Sequence, residues 1–338
     1  MFTGNFSYEA PLSVEAAIHL LAAEEDVMLV AGGTDLVPLI KSGVKNPSRV
    51  LSLKNISRLK SIEPRSDGIF IGSTATLSEV AAHPLINERL PALGHSARSV
   101  ASPQIRNVAT IGGNLLQERR CLYYNQSRHW RRNVPACFKL GGKVCHQVPK
   151  STVCRALYYS DTASVLLAFG ARAEFYDHGV LRVAPLGEMI HGRVTGGNGK
   201  LLLTGIFLPA LPEGTWGEFT KYSVRAAVDF ATANMALRFS PALSGKQQTP
   251  TVEIFVGAIS SEPVRLNETA EYLASNFSQL SSLPADVTER ALSEVSAKCA
   301  LIRETGVSLG SKRNALNIVS QGIMGLSTFL SIAESPLK

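Results

Sequence analysis

Two Gly-Gly turns constrain the fold of this chain more than any other feature. Val27–Ala31 is a short apolar run that enters Gly32-Gly33-Thr34-Asp35, and Leu36–Ser42 then has helical periodicity. The second turn is Ala109-Thr110-Ile111-Gly112-Gly113-Asn114. A buried strand, a tight glycine turn and a helix make an α/β unit whose turn sits at the end of a sheet. Neither turn is a G-x-G-x-x-G or a G-x-x-x-x-G-K-[ST], so the Rossmann and P-loop fingerprints are absent. Glycines without Cβ let backbone amides approach phosphate oxygens, and a following helix N-terminus adds partial positive charge. Thr34, Thr110 and Asn114 offer further side-chain hydrogen bonds. A Gly-Gly at a strand end serves more often as a turn only. Two together can grip a pyrophosphate from both sides.

The rest of the chain divides around these turns. Residues 11–25 read as an amphipathic helix capped by Ser13, and 50–53 as a strand. With the first turn they form a small α/β subdomain, 1–55. Ile69–Gly72 and Lys200–Leu208 read as strands, as does Ala171–Tyr176, while Thr76–Ala82, Leu90–Val100 and Thr162–Phe169 read as helices. Together they fill a second subdomain, 56–215. Pro209–Gly214 is a linker, and the segments 216–223, 227–237, 251–257, 268–275 and the helical tail 312–334 form a separate α+β domain, 216–338.

Between Arg119 and Arg155 periodicity fails. This stretch holds nine Lys or Arg and no Asp or Glu, against a net charge of +7 for all 338 residues. It also holds four of the five cysteines, Cys121, Cys137, Cys145 and Cys154, spaced C-x15-C-x7-C-x8-C. No C-x2-C occurs, so ferredoxin and zinc-ribbon spacings do not apply. Four thiolates can hold a [4Fe–4S] cluster or a zinc ion, and spacing alone does not choose. Basic surroundings favour thiolates and offset a cluster's negative charge. His146 is an alternative ligand or an exposed neighbour, and Cys299 reads as a buried core thiol.

The pair LVAGGTDL (29–36) and ATIGGN (109–114) resembles the FAD motifs of the medium subunits of the xanthine dehydrogenase and carbon monoxide dehydrogenase family. Ser160-Asp161 before an apolar helix, and Phe219-Thr220-Lys221 followed by Arg225 and Asp229, extend the resemblance over the whole chain. It implies an α+β fold: a two-subdomain FAD-binding domain of the vanillyl-alcohol oxidase / p-cresol methylhydroxylase type, then a C-terminal α+β domain of the carbon monoxide dehydrogenase flavoprotein type. It also implies the FAD contacts. Leu29, Val30, Ala31, Gly32, Gly33, Thr34, Asp35 and Leu36 would wrap the pyrophosphate. Val100 and Thr110, Ile111, Gly112, Gly113 and Asn114 would hold its other side. Asp161 would bond the ribityl or ribose hydroxyls, Leu203 would pack near the ring system, and Lys221 would favour the anionic reduced flavin. Read without the resemblance, Lys221 is a solvated lysine and Asp161 a helix N-cap.

Asp161 lies 47 positions after Asn114, and the long insert resembles the iron–sulfur loop of the β subunits of 4-hydroxybenzoyl-CoA reductases, with Arg120-Cys121, Tyr123–Ser127 and Trp130-Arg131. That resemblance favours the [4Fe–4S] cluster on Cys121, Cys137, Cys145 and Cys154. It implies an electron-transfer subunit working with a molybdenum-cofactor subunit and a subunit carrying two [2Fe–2S] clusters, as a dimer of heterotrimers, fed by an acidic ferredoxin-like donor. The reaction expected is reductive dehydroxylation of an aromatic CoA thioester. The alternative is an enzyme oxidising aldehydes or N-heterocycles, and a distant one is a zinc-stabilised RNA-binding protein, against which two pyrophosphate-type turns weigh. No catalytic residue is expected in this chain, since the substrate would bind the molybdenum subunit.

Composition agrees with permanent partners. The chain is 45% hydrophobic and 18% charged, with a mean hydropathy of +0.09, which leaves a rather apolar surface. The sequence shows neither a signal-peptide pattern nor an apolar run of membrane-spanning length. The expectation is a cytoplasmic protein without structural disulfides, or a periplasmic one exported with its partner.

Overall fold

A computed structural model describes residues 5–196, 200–225, 228–242, 249–276, 285–298, 317–322, 324–325 and 328. Cys299 and most of the expected tail 312–334 lie outside the described residues.

The first subdomain is a three-stranded parallel sheet of β1 (Ser7–Glu9), β2 (Val27–Val30) and β3 (Arg49–Ser52), in the order β1-β3-β2. The helix Val14–Ala23 packs on it through Val14, Ala17 and Leu21, with the Ser13 hydroxyl accepting the Ala16 amide at 3.1 Å. β2 departs from the expected buried strand. All four of its residues are only partly buried, because it is an edge strand and one side borders the cleft described below.

The second subdomain is a five-stranded antiparallel sheet, β4-β5-β8-β6-β7, of β4 (Ile62–Arg65), β5 (Gly68–Gly72), β6 (Arg172–Asp177), β7 (Val180–Pro185) and β8 (Leu201–Pro209). Helices Leu77–Ala82, Pro91–Ser99 and Asp161–Ala168 bury its main core, which includes Ile71, Leu93, Ile111, Leu166 and Ile206. Thr76 and Glu79 form a reciprocal capping box at the first of these helices.

The third unit is a four-stranded antiparallel sheet, β12-β11-β10-β9, of β9 (Trp216–Tyr222), β10 (Ala233–Ser240), β11 (Thr251–Gly257) and β12 (Val264–Arg265). Helices Asn267–Ser275 and Ala285–Lys298 and residues 317–322 cover one side of it, with Leu237, Ile254, Leu273 and Val295 in the core. The helix Asp161–Ala168 packs on its other side, joining it to the second subdomain.

Several elements escape a sequence reading, β4 and β12 among them. β1 is three residues long, β7 is exposed along nearly its whole length, and the helices Leu186–Gly196 and Ala285–Lys298 have mixed polarity. The expected loop 119–155 is irregular, as its lack of periodicity implies. It holds one helical turn at Arg128–Arg131 and one at Phe138–Leu140. Its neck is closed by a two-way backbone pairing of Arg120 with Leu157, at 2.8 and 2.9 Å.

Candidate functional site

The two glycine turns face one cleft. Leu29, Val30, Ala31, Asp35 and Leu36 from the first turn, Gly112 and Gly113 from the second, and Leu203 from β8 line a cavity of about 220 Å3. The turns meet because Gly32 has no side chain: a Cβ there would lie 2.0 Å from the Val108 carbonyl oxygen, immediately before the second turn. Gly33 has φ +72°, the left-handed region that glycine tolerates without penalty.

The turns do different work. The amides of Gly32, Gly33 and Thr34 have no acceptor among the described residues. Three adjacent N–H groups without a protein acceptor are free to donate to an anion. In the second turn the amides are spent within the chain. Gly112 N–H donates to the Ser73 carbonyl at 2.9 Å, Gly113 N–H to the Thr110 hydroxyl at 3.1 Å, and Asn114 N–H to the Thr110 carbonyl at 2.9 Å. These glycines lie in the first turn of the helix Ile111–Leu115, capped by Thr110, rather than ahead of it. Asn114 is committed as well: its Oδ1 accepts from Ser160 and Thr162, each at 2.7 Å. The second turn therefore supplies a wall. Gly112 packs on Ser73, while a Cβ on exposed Gly113 would meet only the Thr110 hydroxyl, at 3.0 Å.

Ser73 is a residue that sequence reasoning missed. It lines the cleft, is buried, and its Oγ has no hydrogen-bond partner among the described residues. A buried unpaired hydroxyl facing a cavity is a donor without its ligand. No motif marks it; only its place after β5 puts it there.

Gly32, Gly33, Thr34, Val100, Thr110, Ile111, Asn114, Asp161 and Lys221 are not part of the cleft lining. Asp161 and Lys221 instead meet each other at the junction with the third unit. Lys221 Nζ lies 2.7 Å from Asp161 Oδ2 and donates to the Ser99 carbonyl at 2.9 Å, and Asn234 Nδ2 donates to Asp161 Oδ1 at 2.8 Å. Neither plain reading holds for them. Ser160 is the N-cap, and Lys221 is a largely buried, paired cation. Burial pushes the Asp161 carboxyl upward, against the opposing pull of Lys221. Val100 lies between these groups and Arg106, which donates to the Val100 and Ala101 carbonyls.

Cys121, Cys137, Cys145 and Cys154 line a single small cavity, together with His146 and Tyr123. All four are free and partly buried. Among the described residues no three His, Cys, Asp or Glu side chains stand in a preformed metal-binding group. Gly142 lets the chain double back, since a Cβ there would lie 1.7 Å from the Ala136 carbonyl oxygen, and Cys137 bridges Val144. The Tyr123 amide donates to Cys121 Sγ at 3.4 Å. His146 Nε2 donates to the Pro135 carbonyl at 2.8 Å, and its ring stacks on Tyr123.

The basic loop is less free than its composition implies. Arg131 donates to the Tyr124, Gln126 and Gly43 carbonyls, Arg119 to the Val194 carbonyl, and Lys139 pairs with Glu118. Burial accordingly pushes the Cys121 thiol up, and the neighbouring amides only partly oppose this. Arg120 pairs with Asp35 of the first turn at 2.6 Å and lies over the Phe230 ring.

A third cavity, of about 340 Å3, lies between these two. It shares Lys45, Glu118 and Arg193 with the cleft, and Tyr124, Phe138, Lys139 and Cys154 with the cysteine cavity.

Residues 4–211 match the model of the FAD binding domain in molybdopterin dehydrogenase. The chain belongs to this family. Among curated proteins it is 27% identical over 286 residues to the nicotine 6-hydroxylase medium subunit of Paenarthrobacter nicotinovorans, covering 84% of each chain. It is 40% identical over 113 residues to the nicotinate dehydrogenase FAD-subunit of Eubacterium barkeri, a stretch spanning 33% of this chain and only 38% of that one. Its fold matches a chain of reconstituted CO dehydrogenase from Oligotropha carboxidovorans with a TM-score of 0.74 at 21% identity, covering 97% of this chain and 99% of that one. The α+β flavoprotein architecture expected from the sequence is therefore present, and the chain is an FAD-binding oxidoreductase component. Both curated relatives are named for N-heterocycles.

Proposed function

We propose that this chain is the FAD- and [4Fe–4S]-carrying electron-transfer subunit of a molybdenum hydroxylase that oxidises an N-heterocycle or an aldehyde. The observation that carries the flavin site is the cleft itself: an unpaired Ser73 hydroxyl and the bare face of Gly113 line it, and the three unpaired amides of Gly32–Thr34 lie in the turn between its lining residues Ala31 and Asp35. These groups fit a pyrophosphate, and the cations Lys45, Arg193 and Lys200 line the cleft beside the carboxylates Glu25, Asp35 and Glu118. Bound FAD would supply one- and two-electron transfer. The chain's own part is to hold the phosphates through the first turn, to exclude bulk water with Leu29, Leu36 and Leu203, and to fix the junction through the Asp161–Lys221 pair.

The four cysteines around one cavity support a thiolate-held cluster, and the basic loop around them supports charge balance. The cavity they line abuts the one that adjoins the FAD cleft, so both electron carriers would sit within one continuous region. On this reading 1–55 and 56–215 are the FAD-binding subdomains and 216–338 the C-terminal domain. The partners are a molybdenum-cofactor subunit and a subunit with two [2Fe–2S] clusters, in a dimer of heterotrimers, with an acidic ferredoxin-like protein exchanging electrons at the loop. Among the described residues no helix is long and apolar enough to cross a membrane.

One observation favours a second reading. The 47-position separation of Asn114 and Asp161 with its four cysteines resembles the reductive 4-hydroxybenzoyl-CoA enzymes. Purification of the complex and assay with nicotinate, an aldehyde and 4-hydroxybenzoyl-CoA separates the two. Turnover of a heterocycle or aldehyde with an oxidising dye supports the first, and turnover of the thioester alone with a low-potential reductant replaces it.

A further inference from the structure

Glu118 stands at the root of the cysteine loop, between the second glycine turn and Cys121. Its carboxylate binds two lysines on opposite sides. Lys45 Nζ, on the segment after the helix Leu36–Lys41, is 3.1 Å from Oε2, and Lys139 Nζ, between Cys137 and Cys145, contacts Oε1. All three side chains are largely buried, at 15%, 15% and 10% exposure for Glu118, Lys45 and Lys139. Lys139 also donates to the Arg119 carbonyl at 2.9 Å and lies over the Tyr124 ring, while the Glu118 amide donates to Asp35 at 3.0 Å. Burial alone would raise the Glu118 carboxyl, but the two lysines overcome it and hold it down at about 2.

The placement of the partners matters more than the strength of the pairs. Lys45 and Glu118 line both the FAD cleft and the intermediate cavity, whereas Lys139 lines the intermediate and cysteine cavities and has no part in the cleft. A buried carboxylate shared by two cations cannot lose one without changing its hold on the other. We propose that the Lys45–Glu118–Lys139 bridge is a positioning device that links occupancy of the cysteine site to the affinity of the cleft for FAD. The inference rests on the FAD and cluster reading above. Linkage requires reciprocity: whatever factor the filled cysteine loop adds to FAD affinity, bound FAD adds to metal retention.

The test uses the full chain, purified anaerobically with its iron. FAD is removed and rebound, and its dissociation constant is measured by flavin fluorescence before and after iron is stripped with a chelator. Wild-type protein should bind FAD about 5- to 20-fold more weakly once iron is gone, within the usual range of coupling. Lys139→Met should weaken FAD binding by a similar factor although it does not touch the cleft, and stripping iron from it should then change FAD affinity less than twofold. Glu118→Gln should also abolish the ratio, whatever it does to the absolute affinity. A bridge that merely stabilises the fold would lower the melting temperature in the variants and leave the iron-dependent ratio as in wild type, which overturns the inference. So does wild-type protein that binds FAD equally with and without iron. Protein that binds FAD but never holds iron overturns the cluster reading and the inference with it.

Discussion

Removing Lys221 is the sharpest single perturbation of the junction between the FAD-binding subdomains and the third unit. Lys221→Met leaves the Asp161 carboxylate, 4% exposed, with the Asn234 amide as its remaining side-chain donor. Breaking a buried ion pair on one side costs about 3–5 kcal/mol, because the surviving charge is stranded. The retained Asn234 bond puts the expectation near the lower end, about 3 kcal/mol at about pH 8. The loss should be pH dependent. Burial already raises the Asp161 carboxyl, so the ionised form is the disfavoured one, and stability falls as pH rises above the ordinary aspartate value of about 3.9. Without Lys221 that carboxyl rises further, and the deficit should shrink as the solution is acidified from about pH 8 toward about pH 5 and Asp161 takes up a proton. Urea unfolding followed by tryptophan fluorescence reads it directly, since Trp216 begins the strand that carries Lys221. Asp161→Asn added to Lys221→Met should restore most of the loss. A Lys221→Met protein within about 0.5 kcal/mol of wild type at both pH values, a change typical of surface substitutions, would refute the stranded-charge reasoning.

Three further outcomes follow from the geometry. Gly113→Val, whose Cβ meets only the Thr110 hydroxyl, should weaken FAD binding at least tenfold with a near-normal melting temperature, whereas Gly32→Ala should not fold, because its Cβ meets the Val108 carbonyl; equal FAD affinity in Gly113→Val and wild type would remove that wall from the site. Cys137→Ser should lose iron while keeping the flavin, with metal analysis and flavin fluorescence on the same sample as the check. Arg131→Glu should lose iron and loop structure at any salt, because Arg131 holds three carbonyls, while Arg128→Glu and Arg132→Glu, on exposed side chains, should slow reduction by an acidic donor in a way that fades with salt as the Debye length falls from about 10 Å at 0.1 M to about 3 Å at 1 M.

The glycine turns were legible because their reason is local. A strand that ends in Gly-Gly before a helix has few alternatives, and both turns face one cleft. What each turn contributes was not legible. The amides of Gly112 and Gly113 are spent on Ser73 and Thr110, which only the folded chain brings to them, while those of Gly32–Thr34 stay free, and Ser73 carries no motif. The Asp161–Lys221 pair is also hidden in one dimension, since its members are 60 residues apart. That pairing changes the expected electrostatics. An unpaired cation about 4 Å from the flavin would be worth roughly 4 kcal/mol at an effective dielectric of ~20, whereas a pair with Asp161 is nearly neutral, so Lys221 should move the flavin potential by less. The cysteine count and spacing were plain, but the nine basic residues read as one patch. The fold separates them into structural arginines such as Arg131, bridging cations such as Lys139 and Arg120, and exposed ones such as Arg128 and Arg132.

The visible absorption spectrum of the anaerobically purified chain, recorded before and after FAD is released by mild denaturation, tests the flavin and cluster sites together. It should show flavin bands over a broad iron–sulfur shoulder, with the flavin leaving on release and the shoulder remaining with the protein. A colourless protein that takes up no added FAD would contradict the cleft between the two glycine turns as a flavin site. A spectrum of flavin alone, with zinc as the bound metal, would contradict the cluster on Cys121, Cys137, Cys145 and Cys154.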